Sequence, residues 1–455
     1  MRIKLRDVGR NLKAAVRSRR QRLAGLAFIG GLLHFASMTA VRAEPPTVAP
    51  DSPPPGGSAE AQVKELERRL LELEQRQTPP AAKAPPASVS LTGGPGRGFT
   101  IATADDRFAA TVRARVQLRD TLAAGANWTN ELNVRTARLY LHGQVLSPDL
   151  KYWLQLALGG NDFEPGSASP IFDAWVEYTR LRDLNIRVGQ FFVPFDRART
   201  VREFALQLVD RPQVVSELSL DRDIGIMFSS NSLFGSRDIL AYNLGIFGGK
   251  GRNRFGGGPI GFLYVLRLSV RPLGAFDDDQ EGDLLRLHRP RLLIGIAGAY
   301  NQNTSRQRST TGNTLTLGTL DYGHFAFDTM FKYAGFSFLG ELLLRQSQTS
   351  FLDGISAGKP LREWSRNGWG YLLQAGMMLS GKLELTARWE ELRTPEATDP
   401  ALLMLTQTQG RQLGSGMNVY LSGHQFKIQA DYFYQFADDV TAGRHVARLQ
   451  LDATF

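Results

Sequence analysis

Residues 444–455, RHVARLQLDATF, alternate with period two. His445, Ala447, Leu449, Leu451, Ala453 and Phe455 share one face of a strand; Arg444, Val446, Arg448, Gln450, Asp452 and Thr454 share the other. TVRARVQLR (111–119) does the same, setting Val112, Ala114, Val116 and Leu118 against Arg113, Arg115, Gln117 and Arg119. Such a strand needs oil on one side and water on the other. An arginine facing lipid at mid-bilayer costs about 2–4 kcal/mol, so three on one strand must face an aqueous lumen. The pattern predicts an all-β fold, a transmembrane antiparallel barrel.

Sixteen candidate strands carry the alternation: 108–119, 134–145, 151–159, 172–179, 185–191, 223–229, 240–248, 262–270, 291–300, 323–333, 336–345, 369–379, 382–392, 416–422, 425–436 and 444–455. Short turns at 146–150, 181–184, 333–335, 379–382 and 422–425 alternate with long loops at 120–133, 160–171, 192–222, 249–261, 301–322, 346–368 and 393–415. Outer-membrane barrels have short periplasmic turns and long outer loops, and an even strand count returns both termini to the periplasm. The turn 271–290 is unusually long for that side. A soluble β-sandwich array is the alternative, but it would not link loop length to parity.

Residues 1–43 read as a signal peptide: a basic stretch, an apolar run and Val41-Arg42-Ala43, which suits cleavage after Ala43. An uncleaved anchor is the alternative. This segment also holds 10 Lys/Arg and one acid, leaving 44 basic against 43 acidic residues beyond it. The formal +10 therefore gives no support to a nucleic-acid partner. With no cysteine, disulfides, thiolate catalysis and Cys-based zinc sites are excluded. Residues 44–98 form a Pro/Gly-rich periplasmic linker interrupted by a short helix, 60–77, ahead of a barrel domain over 99–455. In that helix Val63, Leu66, Leu70 and Leu73 make an a/d seam, which suits a coiled coil of several subunits or a solvated helix that frays.

VRTARLYLHGQVLSPDLKYWLQL (134–156) resembles the second and third strands of the phosphate-selective porin O/P family. DAWVEYTRLRDLNIRVGQFFVPFDRARTVREFALQLVDRP (173–212), RDIGIMFSS (222–230), YNLGIFGGKGRNR (242–254) and RLSVRPLG (267–274) continue in that family's order. The resemblance implies a bacterial outer-membrane homotrimer of sixteen-stranded barrels surrounded by lipid, each narrowed by an inward-folded loop at 192–222. It also implies passive diffusion of small anions such as phosphate. Terminal Phe455 is what barrel-assembly machinery recognises in many outer-membrane proteins.

The pore-lining, anion-binding candidates are Arg113, Arg115, Arg119, Arg138, Lys151, Arg187, Arg267, Arg388 and Arg448, with Arg197, Arg199 and Arg202 on the constriction loop. Guanidinium groups stay charged and fork onto phosphate or carboxylate oxygens. The structural alternative for each is an ion pair, because Glu177, Glu384, Glu390, Asp431 and Asp452 also point inward and Asp196, Glu203 and Asp210 share the loop. Residues 99–455 hold 32 Arg and 6 Lys against 36 acids, so no overall positive field is evident. The structural or tethering barrel is therefore the other reading. Gly354-Ile-Ser356-Ala-Gly358 matches a hydrolase elbow but lacks the following helix. No enzyme, metal or cofactor site is expected.

Overall fold

The computed structural model describes residues 59–77, 88–125, 127–163, 169–254 and 258–455. The leader and the linker stretches 44–58 and 78–87 lie outside the described residues. The chain divides into two units, 1–83 and 84–455. In the first, helix α1 (Ala59–Gln77) carries Glu65 in ion pairs with Arg68 and Arg69, and its Val63, Leu66 and Leu70 are exposed.

The second unit opens on a hairpin, β1 (Val89–Gly94) and β2 (Gly98–Thr103). It begins inside the stretch read as linker. Next come β3 (Phe108–Ala124), β4 (Trp128–Val145), β5 (Ser147–Ala157), β6 (Ile171–Leu181), β7 (Leu184–Phe192), β8 (Arg222–Ser230), β9 (Leu240–Phe247) and β10 (Leu263–Val270). They continue as β11 (Arg291–Thr304), a loop hairpin β12 (Arg306–Arg308) and β13 (Thr311–Thr314), β14 (Leu320–Tyr333) and β15 (Phe336–Ser347). A second loop hairpin, β16 (Phe351–Ser356) and β17 (Lys359–Trp364), precedes β18 (Gly368–Met378) and β19 (Leu383–Arg393). The last are β20 (Arg411–Ser422), β21 (Phe426–Phe436) and β22 (Arg444–Thr454).

Setting aside the three hairpins leaves sixteen strands, each antiparallel to the next. β22 closes the ring on β3, from His445 opposite Ala124 to Thr454 opposite Arg115. Phe455 extends the closure: its N–H and carbonyl exchange bonds of 2.9 and 2.7 Å with Ala114. Where β22 ends, β2 continues along the same edge of β3, pairing Phe99–Ala102 with Ala109–Val112. No strand edge is left open at the seam, which a bilayer demands.

Burial is inverted relative to a soluble protein. Arg115, Arg345, Lys332 and Lys427 are among the largest fully buried side chains, while mid-strand Leu342, Leu373, Met417 and Leu449 are exposed. Ion pairs lie inside; the apolar band faces out.

Two expectations about loops need correction. The predicted loop 120–133 is only 125–127, because Thr121–Ala124 and Trp128–Asn133 keep pairing. Loops 301–322 and 346–368 contain the two hairpins, and 393–415 contains a helix (Pro400–Gln409). The elbow-like Gly354–Gly358 is a hairpin tip, with positive φ at Ala357 and Gly358 joining Ser356 to Lys359.

Candidate functional site

Alternation and two bulges build the inner wall. Gln117 pairs with Thr136 and Leu118 with Val134, leaving Arg135 as an extra residue; Gln155 and Leu156 likewise bracket Phe172. A bulge puts neighbouring residues on one face. Arg135 thereby joins Arg138 on the lumen, and Phe172 joins Asp173 beneath the guanidiniums of Arg138, Arg222 and Arg252, 3.7–4.5 Å from its ring.

Residues 193–221 leave β7 and cross the inside of the barrel. They form a short helix α2 (Arg197–Thr200), a turn at Glu203–Ala205 and a helix α3 (Gln213–Leu218). One side is apolar: Val193, Phe195, Ala198, Val201, Val214, Val215 and Leu218 pack on Leu263, Val265, Leu293, Ala326, Met330, Leu339 and Leu343 of the wall. Wall side chains also hold its backbone. Glu341 accepts from the Arg197 and Ala198 N–H groups at 3.1 and 3.2 Å, Glu390 from Val214 at 3.1 Å and Asp431 from Val209 at 2.9 Å. Asp196 caps α2 through the Arg199 N–H; burial pushes this carboxyl up, against its bonds from Ser219 and Arg199.

The segment's other side faces the arginines of β3, β4 and β22. Between them lies a cavity of about 100 Å³ lined by Arg119, Arg135, Arg138, Arg199 and Arg211, with Asp162, Glu203 and Asp210. Arg138 binds Asp162 at 2.7 Å and Glu203 at 2.9 Å; Arg115 lies 3.8 Å from Glu203. Asp210 meets Arg119 at 2.8 Å, Arg448 at 2.9 Å and Arg135 at 3.9 Å. Burial raises both loop carboxyls, but the surrounding guanidiniums outweigh it: Arg138, Arg115 and Arg211 hold Glu203 well below its usual range, and Arg119, Arg448 and Arg135 hold Asp210 down. Burial, aided by Arg199, pushes Arg211 down to about 10, which leaves it charged at neutral pH.

Most of the arginines read from the sequence sit in ion pairs. Arg115 forks onto Asp452, Arg187 meets Glu177 at 2.8 Å, Arg448 forks onto Asp431, and Arg388 lies 3.4 Å from Glu390. Arg197 pairs with Asp278 at 3.2 Å and Arg199 with Asp221 at 2.5 Å. Arg267 is buried under α2, gripping Asp328 at 2.6 Å and the Phe195 carbonyl at 2.9 Å, away from the cavity. Lys151 is exposed, opposite Gln144 and Glu177 in register. Among the described residues Arg113 and Arg202 meet no carboxylate. Sequence reading missed Arg135, Arg211, Arg222 and Asp162; for Arg135 the bulge that turns it inward leaves no signal in the alternation.

Residues 112–270 match the family model described as phosphate-selective porin O and P. Over that stretch, about a third of its length, the chain is similar to that family. No curated protein matches it. Among solved structures, this chain is similar to a Salmonella typhi OmpF complex with daunomycin at 10% identity and TM-score 0.52, over 77% of this chain and 99% of that one. That likeness shows the fold. A Vibrio cholerae OmpT with loop L8 deleted (11%, TM-score 0.48) and an anion-selective porin from Comamonas acidovorans (12%, TM-score 0.46) each cover 76% of this chain and are themselves 99% covered.

Proposed function

We propose that this porin passes small hydrophilic solutes by passive diffusion and prefers anions, phosphate-like ions among them, through a passage narrowed by residues 193–221. The observation that carries the reading is the cavity beside Glu203, where five guanidiniums face three carboxylates. Those carboxylates are already engaged by arginines, so the remaining positive charge falls on the passing solute. Guanidiniums also match the oxygens of phosphate and carboxylate. The pore-lining set is then Arg113, Arg115, Arg119, Arg135, Arg138, Arg199, Arg202, Arg211 and Arg448, with Arg187 and Lys151 towards the end that carries the termini.

In this reading residues 1–43 direct export and are removed, 44–98 lie in the periplasm, and α1 joins three copies of the chain. The exposed Leu66 and Leu70 favour that last point, since a lone helix of this length is marginal in water. Phe455, bonded into the closing seam, suits recognition by the assembly machinery. The test is zero-current potential in planar bilayers under chloride and phosphate gradients. Anion preference is expected; cation preference refutes the reading.

A further inference from the structure

Two segments fill one side of the lumen. Besides 193–221, the long connection 271–290 folds in from the end carrying the termini: the Glu281 N–H donates to the Ala205 carbonyl at 3.2 Å, Glu281 accepts from the Gln207 N–H at 2.8 Å, and the Lys332 ammonium donates to the Asp277 and Gln280 carbonyls. A solute that has passed the constriction is thereby directed along the β3–β7 wall. That wall is unlike the rest of the lumen.

His142, Trp153 and Trp175 are register partners across β4, β5 and β6. Their rings are nearly parallel, 20° and 4° apart, with centroids 4.7 and 6.1 Å apart. Rings at these spacings are displaced, leaving part of each face uncovered, and all three side chains are only half-buried. Tyr140 meets Trp153 edge-on, Arg187 lies 4.2 Å over Trp175, and Arg202 reaches from the loop to 5.0 Å over Trp153. Beside them Arg113 is near enough to Arg202 and His142 for their charges to interact. Among the described residues, Arg113 and Arg202 meet no carboxylate, and the Arg113 Nε is buried without a hydrogen-bond partner.

We propose that Arg113, Arg202, His142, Trp153 and Trp175 form a binding site for aromatic carboxylates on the terminus side of the constriction. The two guanidiniums take the carboxylate, and the displaced indoles take the ring. The proposal rests on the anion reading above and narrows it to a solute class. Among the described residues, the other arginines named for the pore wall share their charge with an acid or give their donors to backbone carbonyls; this pair can give its full charge to a ligand.

The test is block of chloride current in bilayers by benzoate and by cyclohexanecarboxylate, which share charge and approximate size but differ in having a π face. Benzoate should bind about three- to tenfold more tightly, the range typical of an aromatic pair. W153L/W175L should abolish that preference, W153F/W175F should restore most of it, and R113Q/R202Q should weaken both blockers. Equal block by the two acids in the parent protein overturns the proposal. So does a benzoate preference that survives W153L/W175L. Cation preference in the zero-current potential instead sinks the underlying anion reading, so the two failures are distinguishable.

Discussion

Replacing Glu203 with glutamine removes one negative charge from the wall of the arginine-lined cavity while keeping an oxygen that can accept from Arg138, now at 3.2 Å. A unit charge about 7 Å from a passing ion in water contributes about 0.6 kcal/mol. A Debye length of about 10 Å at 0.1 M salt halves that. The anion gains and the cation loses about 0.3 kcal/mol, so the anion-to-cation permeability ratio should rise about threefold. At 1 M salt, with a Debye length of about 3 Å, the rise should shrink to about 1.2-fold. The assay is zero-current potential under a tenfold potassium chloride gradient, centred on each ionic strength. The parent ratio should be flat from pH 8 to about 5, because the arginines depress the Glu203 carboxyl and keep it charged throughout. The sign follows from that depression: its favourable pairing is fully present above the unfolded value and is lost only as pH falls through the lower folded one. An unchanged ratio at 0.1 M, or a shift towards cations, would refute the placement of Glu203 beside the ion path.

Leu373→Arg, on the outer face mid-strand in β18, should lower folding free energy by about 2–4 kcal/mol in urea titrations from lipid vesicles; a change under 1 kcal/mol, about the value near an interface, would argue against Leu373 facing mid-bilayer lipid. Gly143→Ala should fail to assemble as a heat-modifiable barrel on gels, because the added carbon would collide with the Ala109 carbonyl oxygen of the neighbouring strand; normal assembly would argue against this β3–β4 register. Glu281→Ala removes the acceptor held at 2.8 Å by both the Gln207 N–H and the Gln374 amide, at a cost of about 1.5–3 kcal/mol per charged bond. Open-channel noise and protease cutting within 193–221 should both increase, and identical records would count against 271–290 supporting the loop.

The sixteen strands, their order and their inward parity on β3 and β22 were legible because a membrane barrel leaves no third environment: each alternate side chain meets lipid or lumen. In β10 the signal was thinner. Leu263 and Val265 point inward as Leu266 and Leu268 point outward, and only Arg267 and Ser269 mark the lumen face. The apolar inner patch that β10 shares with β11, β14 and β15 exists to receive 193–221, a partner far away in sequence. The resemblance over 134–274 located that loop, but nothing local said which arginines it would neutralise. Arg115 and Arg119 look equivalent to Arg113 in sequence. One is forked by Asp452, 337 residues away, another is held by Asp210, and Arg113 is left open. Arg135 entered the lumen through a bulge that period-two reading cannot register. The inward turn of 271–290 depends on bonds to Ala205 and Gln207, residues far from it in sequence. Solvent on each face of a strand is written into its own residues. The pairing of charges across a lumen depends on which distant strands the closed ring sets opposite one another, and that the tertiary structure alone decides.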